Sequence, residues 1–239
     1  MFFTQCYVLY RRLKAQNLIK MTEVKKEKRG GINFFNCDNI EFMKTKPDNY
    51  YDLAIVDPPY GIGLIKTEAG NWGIRKENKG SIDKNTNWDF EKPSPEYFNE
   101  LFRVSKSQII WGANHFIENI PNANSSCWIV WDKKNGASYF ADAELAWTSF
   151  KTAVRIFQKN NMDKNKIHLT QKPIYLYDLL LKKYAEKGMK ILDTHGGSFT
   201  NAIACDKNGC SLDICEINTE YFNNGIKKYN EYKAQKTLF

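Results

Sequence analysis

The residues best equipped for chemistry stand four in a row, Asp57-Pro58-Pro59-Tyr60. They follow the apolar run Leu53-Ala54-Ile55-Val56, which is rich in β-branched side chains and reads as a buried strand. Proline has a fixed φ and no N–H to give to a sheet ladder, so the strand stops here and the backbone leaves it in a rigid shape. A carboxylate, two stiff carbonyls and an aromatic face are thereby held at the carboxyl edge of a strand, where open α/β sheets place their ligands. Such a set accepts hydrogen bonds and offers a ring to stack on. Taken alone, the same four residues are equally a strand-ending turn with a surface acid.

A second set lies far along the chain. Met189 to Leu192 reads as a strand ending in Asp193-Thr194-His195-Gly196-Gly197-Ser198; a helix follows from about Thr200 to Lys207, and the strand Ser211 to Cys215 ends at Glu216. Strand, glycine loop, helix, strand and acid is the layout of a Rossmann-like nucleoside site. The glycines let a ligand approach the backbone, and an acid about 20 residues on binds the ribose hydroxyls. Here the acid comes 23 residues after Asp193. The three spaced glycines of a pyrophosphate-binding loop are absent, which favours a nucleoside ligand without phosphates. S-adenosylmethionine is such a ligand.

Both sets need a sheet to hold them. Ile32 to Phe35 reads as a strand, Asn39 to Lys46 as a short helix stopped by Pro47, and Pro47-Asp48-Asn49 as the turn into the strand before Asp57. This βαβ unit implies a parallel sheet. Asp38 falls at the same edge as Asp57 and has two readings, a helix cap or an acceptor for a ligand amine. Residues 61–93 are rich in Gly, Asn and Lys, a loop long enough to be a lid or a substrate contact, though a solvated loop has the same composition. Ser94 and Pro95 open a helix to about Arg103, and strands follow at Gln108 to Trp111, Cys127 to Trp131, Ala143 to Phe150 and Val154 to Phe157. His115 has no second ligand at metal spacing and reads as a packed histidine, so no metal site is expected. The polar tract Gln158 to Lys166 joins the two halves, and Ile174 to Lys187 is an amphipathic helix.

Length and composition set outer bounds. With 239 residues the chain suits one α/β domain, and its formal charge of +8 favours a polyanionic partner, although it also serves solubility. The six cysteines show no paired metal spacing and suit a reduced, cytoplasmic protein. No apolar run reaches the roughly 18 residues of a membrane span, and the start lacks the order of a secretory signal, so no membrane partner is expected. Residues 1–30 are expected to form a loosely ordered basic arm, either an extension upstream of Met21 or a phosphate-contacting segment.

Together these residues resemble the permuted β group of the S-adenosylmethionine-dependent amino-methyltransferases acting on DNA. Asp57 to Tyr60 matches the family's DPPY element in full, and His168 to Pro173 resembles its HPTQKP element. Asp193 to Thr200 resembles its DPFGGSGT loop, and Glu216 with Tyr221-Phe222 resembles the strand-end acid and following helix. The match spans roughly residues 32 to 230 in the family's order. It implies an α/β fold with a Rossmann-like methyltransferase sheet, mostly parallel with one antiparallel strand, in circularly permuted motif order. One domain over residues 31–239 would carry target-recognition loops within 61–93 and 112–167. Only two strands follow Lys187 where the cofactor half needs three, so Ile32 to Phe35 is expected to be the third.

Residue by residue, the resemblance gives catalytic roles to Asp57, Pro58, Pro59 and Tyr60. It brings Asp38 to the cofactor's adenine, Asp193, Gly196, Gly197 and Ser198 to the methionine and ribose portion, Thr170, Gln171 and Lys172 to the methionine carboxylate, and Glu216 to the ribose. The chain departs from the family at Leu169, at Thr194-His195 in place of Pro-Phe, and at Phe199 in place of the third glycine. A positive φ at Phe199, or its ring in the pocket, would weaken cofactor binding. The implied activity is methyl transfer from S-adenosylmethionine to the exocyclic N6 of adenine in double-stranded DNA. In this family an initial Asp leans towards adenine, while Ser in that place is common for cytosine N4; cytosine N4 is the alternative. A nucleic-acid-binding module that no longer turns over, and catalysis on RNA or a protein amide, are further readings. The family also admits a homodimer and a separately encoded restriction endonuclease as partners.

Overall fold

The computed structural model describes residues 25–66, 72–74, 89, 91–135, 141–159 and 171–236. In chain order its elements are β1 (Lys25–Arg29), β2 (Ile32–Asn36), α1 (Asn39–Lys44), β3 (Leu53–Val56), β4 (Leu64–Lys66), β5 (Trp72–Ile74), α2 (Pro95–Val104), β6 (Gln108–Trp111), β7 (Trp128–Asp132), β8 (Ala143–Thr148), β9 (Arg155–Gln158), α3 (Ile174–Tyr184), β10 (Lys190–Asp193), α4 (Thr200–Asn208), β11 (Ser211–Cys215) and α5 (Thr219–Lys236). Two short 3-10 turns, Ala113–His115 and Ile117–Asn119, follow β6.

The larger sheet runs β1-β2-β11-β10-β3-β6-β8-β7-β9. Strands β2, β11, β10, β3 and β6 are mutually parallel. Strand β2 is thus the third strand of the cofactor half, as the shortfall after Lys187 requires. The parallel strands are buried on both faces, and alternation sends their side chains into two cores. Phe34, Ile55 and Trp111 face α3, α4 and α5, packing with Leu180, Ile203 and Phe222. Phe35, Val56 and Ile110 face α1 and α2, packing with Phe42, Phe98 and Leu101. The result is a three-layer α/β/α Rossmann-like fold.

Local chemistry fixes the ends that matter for the edge. Asp38 caps α1, its Oδ1 accepting from Glu41 N at 2.9 Å. Ser94 caps α2 through Tyr97 N at 3.3 Å, with Pro95 at the first helical position. Strands β3, β10, β11 and β2 then deliver Asp57, Asp193, Glu216 and Asp38 to one carboxyl edge, centred on the β10–β3 boundary where the strand order reverses. The Asp57 strand precedes the glycine-loop strand in the chain, which is the permuted order.

Two expectations change. Residues 25–29, placed in the loosely ordered arm, form an edge strand that pairs antiparallel with β2, from Lys25 opposite Asn36 to Arg29 opposite Ile32. The two-residue connection Gly30-Gly31 permits it, with Gly30 at φ 62. Its charges are accommodated because Glu27 lies between Lys25 and Arg29, and the Lys25 and Lys26 ammonium groups sit over the rings of Phe222 and Phe35. Consequently two strands, β1 and β8, run against the rest instead of one.

Candidate active site

Asp57 leaves β3 between a buried Val56 and a buried Pro58. Both of its oxygens are engaged: Tyr60 donates its hydroxyl to Oδ1 at 2.8 Å, and Lys172 Nζ donates to Oδ2 at 2.5 Å. Lys172 also contacts Glu144 Oε2 at 3.0 Å and the Tyr60 oxygen at 3.2 Å. The other oxygen of Glu144 pairs with Lys133 Nζ at 2.6 Å. Two acids and two ammonium groups thus alternate through a site in which the Lys172 side chain keeps 2% exposure and Asp57 17%.

Burial pushes the Asp57 carboxyl up from its ordinary value; Lys172 opposes that rise and Glu144 adds to it. Burial also opposes charge on Lys172, yet Asp57 and Glu144 hold its ammonium protonated. For Glu144, burial is outweighed by Lys172 and Lys133, which bring the carboxyl down to about 2.

Tyr60 is fixed from three sides. Its N–H donates to Asp89 Oδ1 at 2.7 Å, its ring stacks on His115 with centroids 5.1 Å apart, and Gly112 lies flat against it. A Cβ on Gly112 would stand 2.1 Å from Tyr60 Cε1, and the residue has φ +68, so both space and backbone require glycine there.

Beside Asp57 opens a cavity of about 280 Å³. Asp38, Asp57, Pro59, Gln171 and Lys172 line it with Gly196, Gly197, Ser198 and Glu216. These expected residues therefore share one pocket, joined by His195 from the same loop and by Asn39 and Asn218, which sequence reasoning did not place there. Glu216 links two of the loops: Gly197 N donates to Oε2 and Asn218 N to Oε1, each at 2.8 Å. Burial raises its carboxyl and these N–H groups oppose the rise. A carboxylate has about four lone-pair sites, so Glu216 retains acceptors for a ligand's hydroxyls.

Two expected cofactor residues sit differently. Asp193 stands behind the pocket wall, its oxygens accepting from His195 N and Asn201 Nδ2, both at 3.1 Å. Burial pushes its carboxyl up to about 7. Lys172 reaches the pocket, but its ammonium is directed to Asp57 and Glu144 because two buried acids attract it. Thr170 lies outside the described residues.

His195 is built into the loop. Asn39 Nδ2 lies 3.0 Å from its Nε2, and Thr194 Oγ1 lies 2.9 Å from its Nδ1. An amide nitrogen only donates, so Nε2 accepts and Nδ1 carries the proton. Burial lowers the imidazole to about 3, keeping it neutral. Thr194 Oγ1 extends the chain to Tyr97 OH at 2.7 Å.

Phe199 adopts φ 52, ψ 29, the left-handed region. Its ring is absent from the pocket wall and fully buried in the core, 5.1 Å from Phe34 and 5.7 Å from Phe222. The strain anticipated at this position exists; the obstruction does not. Glu144 was invisible to motif reasoning, the available signal being one acid in the apolar strand β8.

The permuted sheet brings the strand-end acids to one pocket at its carboxyl edge, the layout of a Rossmann-like fold. A family model described as DNA methylase, N6_N4_Mtase, matches residues 146–228. The type II methyltransferase M.HpaI of Haemophilus parainfluenzae is 27% identical over 77% of this chain and 70% of its own length. Among solved structures, M1.HpyAVI in complex with SAM superposes with TM-score 0.56 at 19% identity, covering 83% of this chain and 99% of that one. PvuII DNA methyltransferase, described as cytosine-N4-specific, superposes with TM-score 0.56 at 12% identity, covering 84% and 89%. Over the matched residues the chain is similar to DNA methylases of the N6/N4 type, and its fold is similar to that of M1.HpyAVI bound to S-adenosylmethionine.

The pocket fits that cofactor on its own chemistry. Asp38 and Glu216 offer acceptors to amine and hydroxyl groups. Gly197, at φ +51, has nothing within 4 Å of a Cβ built on it, leaving open space above the loop.

Proposed function

We propose that this protein methylates the exocyclic N6 of adenine in double-stranded DNA. The observation that carries the reading is the Asp57 carboxylate, which ends its strand beside the nucleoside pocket and shares a cluster with Tyr60. The match to a family model described as DNA methylase, the likeness to PvuII DNA methyltransferase and the net charge of +8 support the substrate class. In this reading Asp38, Gln171, Gly196, Gly197, Ser198 and Glu216 hold the cofactor, with Thr170 at its methionine carboxylate, and Asp193 supports the glycine loop. Residues 61–93 and 112–167 carry target recognition, within one domain over residues 31–239.

Bound S-adenosylmethionine supplies an electrophilic methyl group on a sulfonium. An exocyclic base amine is a poor nucleophile because its lone pair is delocalised into the ring. Asp57 and the Pro58 carbonyl accept its two N–H groups, which lets the nitrogen become pyramidal and frees the lone pair. Pro59 fixes that backbone shape, and Tyr60, held by His115 and Gly112, orients the Asp57 carboxylate through its hydroxyl. Asp57 is also the acceptor for the proton that the nitrogen releases.

The likeness to a cytosine-N4-specific enzyme keeps cytosine N4 as the second reading. The burial of Phe199 away from the pocket removes one of the two grounds for a module without turnover, its ring in the pocket; the other, its positive φ, is present. Radiolabelled methyl transfer to duplex DNA, RNA and protein in parallel, followed by mass spectrometry of the nucleosides, tests the proposal. N6-methyladenine is expected; N4-methylcytosine, or label only in RNA or protein, refutes it. Asp57→Ala is expected to bind S-adenosylmethionine with unchanged affinity by calorimetry and to lose transfer to DNA.

A further inference from the structure

Each oxygen of Asp57 accepts from one protein donor. Tyr60 donates to Oδ1 at 2.8 Å and Lys172 to Oδ2 at 2.5 Å. A target amine that hydrogen-bonds to Asp57 competes with them for the same two oxygens. Tyr60 is pinned by Asp89, His115 and Gly112. Lys172 hangs on a flexible four-carbon stem and already touches a second acid, Glu144, at 3.0 Å. Without that acid, leaving Asp57 would strand a buried ammonium without a counter-ion, which is strongly unfavourable. Glu144 is in turn tied to Lys133 at 2.6 Å, so it stays in place when Lys172 moves.

We propose that the Lys172 ammonium stands in for the target amine on Asp57 until the base arrives, and that Glu144 is the positioning residue that keeps the displaced ammonium paired. This rests on the amino-methyl transfer reading above. Charged and titratable groups face Asp57 from each element around it: Tyr60 from the end of β3, Lys172 and Tyr177 from the start of α3, Glu144 from β8, Asp193 from β10 and Tyr97 from α2. Lys172 is the cation among them. Removing the Glu144 charge lowers the Asp57 pKa, because a like charge is lost; removing Lys172 raises it, because the counter-ion is lost.

The test uses the full chain and two readouts. Carboxyl carbon NMR on aspartate-labelled protein, with Asp57 assigned by its loss in Asp57→Asn, follows the titration directly. Asp57 is expected to titrate lower in Glu144→Gln and higher in Lys172→Met. Steady-state kinetics on duplex DNA are expected to show KM for DNA raised about tenfold in Glu144→Gln, with KM for S-adenosylmethionine within about twofold of wild type. Glu144→Asp, which restores the charge, should recover part of the loss. An unmoved Asp57 titration in Glu144→Gln, or a fall in kcat with an unchanged KM for DNA, overturns the proposal. If wild type methylates no DNA, the activity reading fails, while the carboxyl titration still decides whether Glu144 governs Asp57.

Discussion

Phe199 and Gly225 should behave as a lock whose two halves destabilise when changed in one order and stabilise in another. The Phe199 ring is fully buried, and a Cβ on Gly225 in α5 would lie 2.5 Å from its Cδ2 and 2.6 Å from its Cγ. Phe199→Ala removes the ring and should cost about 3–5 kcal/mol, a large share of the roughly 5–15 kcal/mol of a typical domain. Gly225→Ala in wild type gains about 1 kcal/mol of helix propensity but forces a methyl into the ring at an overpacking cost of about 1–3 kcal/mol. It should therefore be neutral to destabilising. In the Phe199→Ala background the obstacle is gone and the same change should stabilise by about 1 kcal/mol. The sign reversal implies a coupling of about 1–3 kcal/mol, readable as shifts in urea midpoint at constant slope. Additivity within about 0.5 kcal/mol would show that the two residues do not meet, and the account of the cofactor loop would fall with it.

Two further outcomes follow from the site. Gly112→Ala places a Cβ 2.1 Å from Tyr60 Cε1 at a backbone φ of +68, and it should lower methyl transfer at least about tenfold, near 1.4 kcal/mol, while S-adenosylmethionine affinity by calorimetry stays unchanged. His195 and Asp193 should impose opposite pH slopes on stability. The His195 folded value of about 3 lies below its ordinary 6.5, so its contribution is present above pH 6.5 and is lost as pH falls towards 3. The Asp193 folded value of about 7 lies above its ordinary 3.8, so its contribution is present below pH 3.8 and is lost as pH rises towards 7. Over the shared window, His195→Phe should make urea stability fall more steeply with rising pH, and Asp193→Asn should make it rise; no change of slope in either variant would refute the assignment.

Most of the fold was legible because its strands are short apolar runs that end in chemically distinctive residues. Asp57, Asp193 and Glu216 each close such a run, and their common edge follows from parallel topology alone. The strand β1 was not legible, since Lys-Lys-Glu-Lys-Arg reads as a solvated run, and only the aromatic rings it lies against, supplied by β2 and α5, make it a strand. Glu144 was hidden for a related reason: its partners Tyr60 and Lys172 come from distant stretches that meet only when β8 pairs with β6. The positive φ of Phe199 could be anticipated from the glycine it replaces. The direction of its ring could not, because that depends on Gly196 and Gly225 leaving room below the loop.

Glu216 joins the glycine loop to the turn before α5 through two backbone N–H groups, with no ligand needed to draw them together. A wall assembled in advance loses little conformational entropy when a nucleoside enters, so binding there should be tight from the outset. It also means that this wall holds the nucleoside of fresh and spent cofactor alike, since the two differ only at the sulfur. Under the proposed methyl transfer, turnover in this architecture is accordingly sensitive to accumulation of the demethylated cofactor.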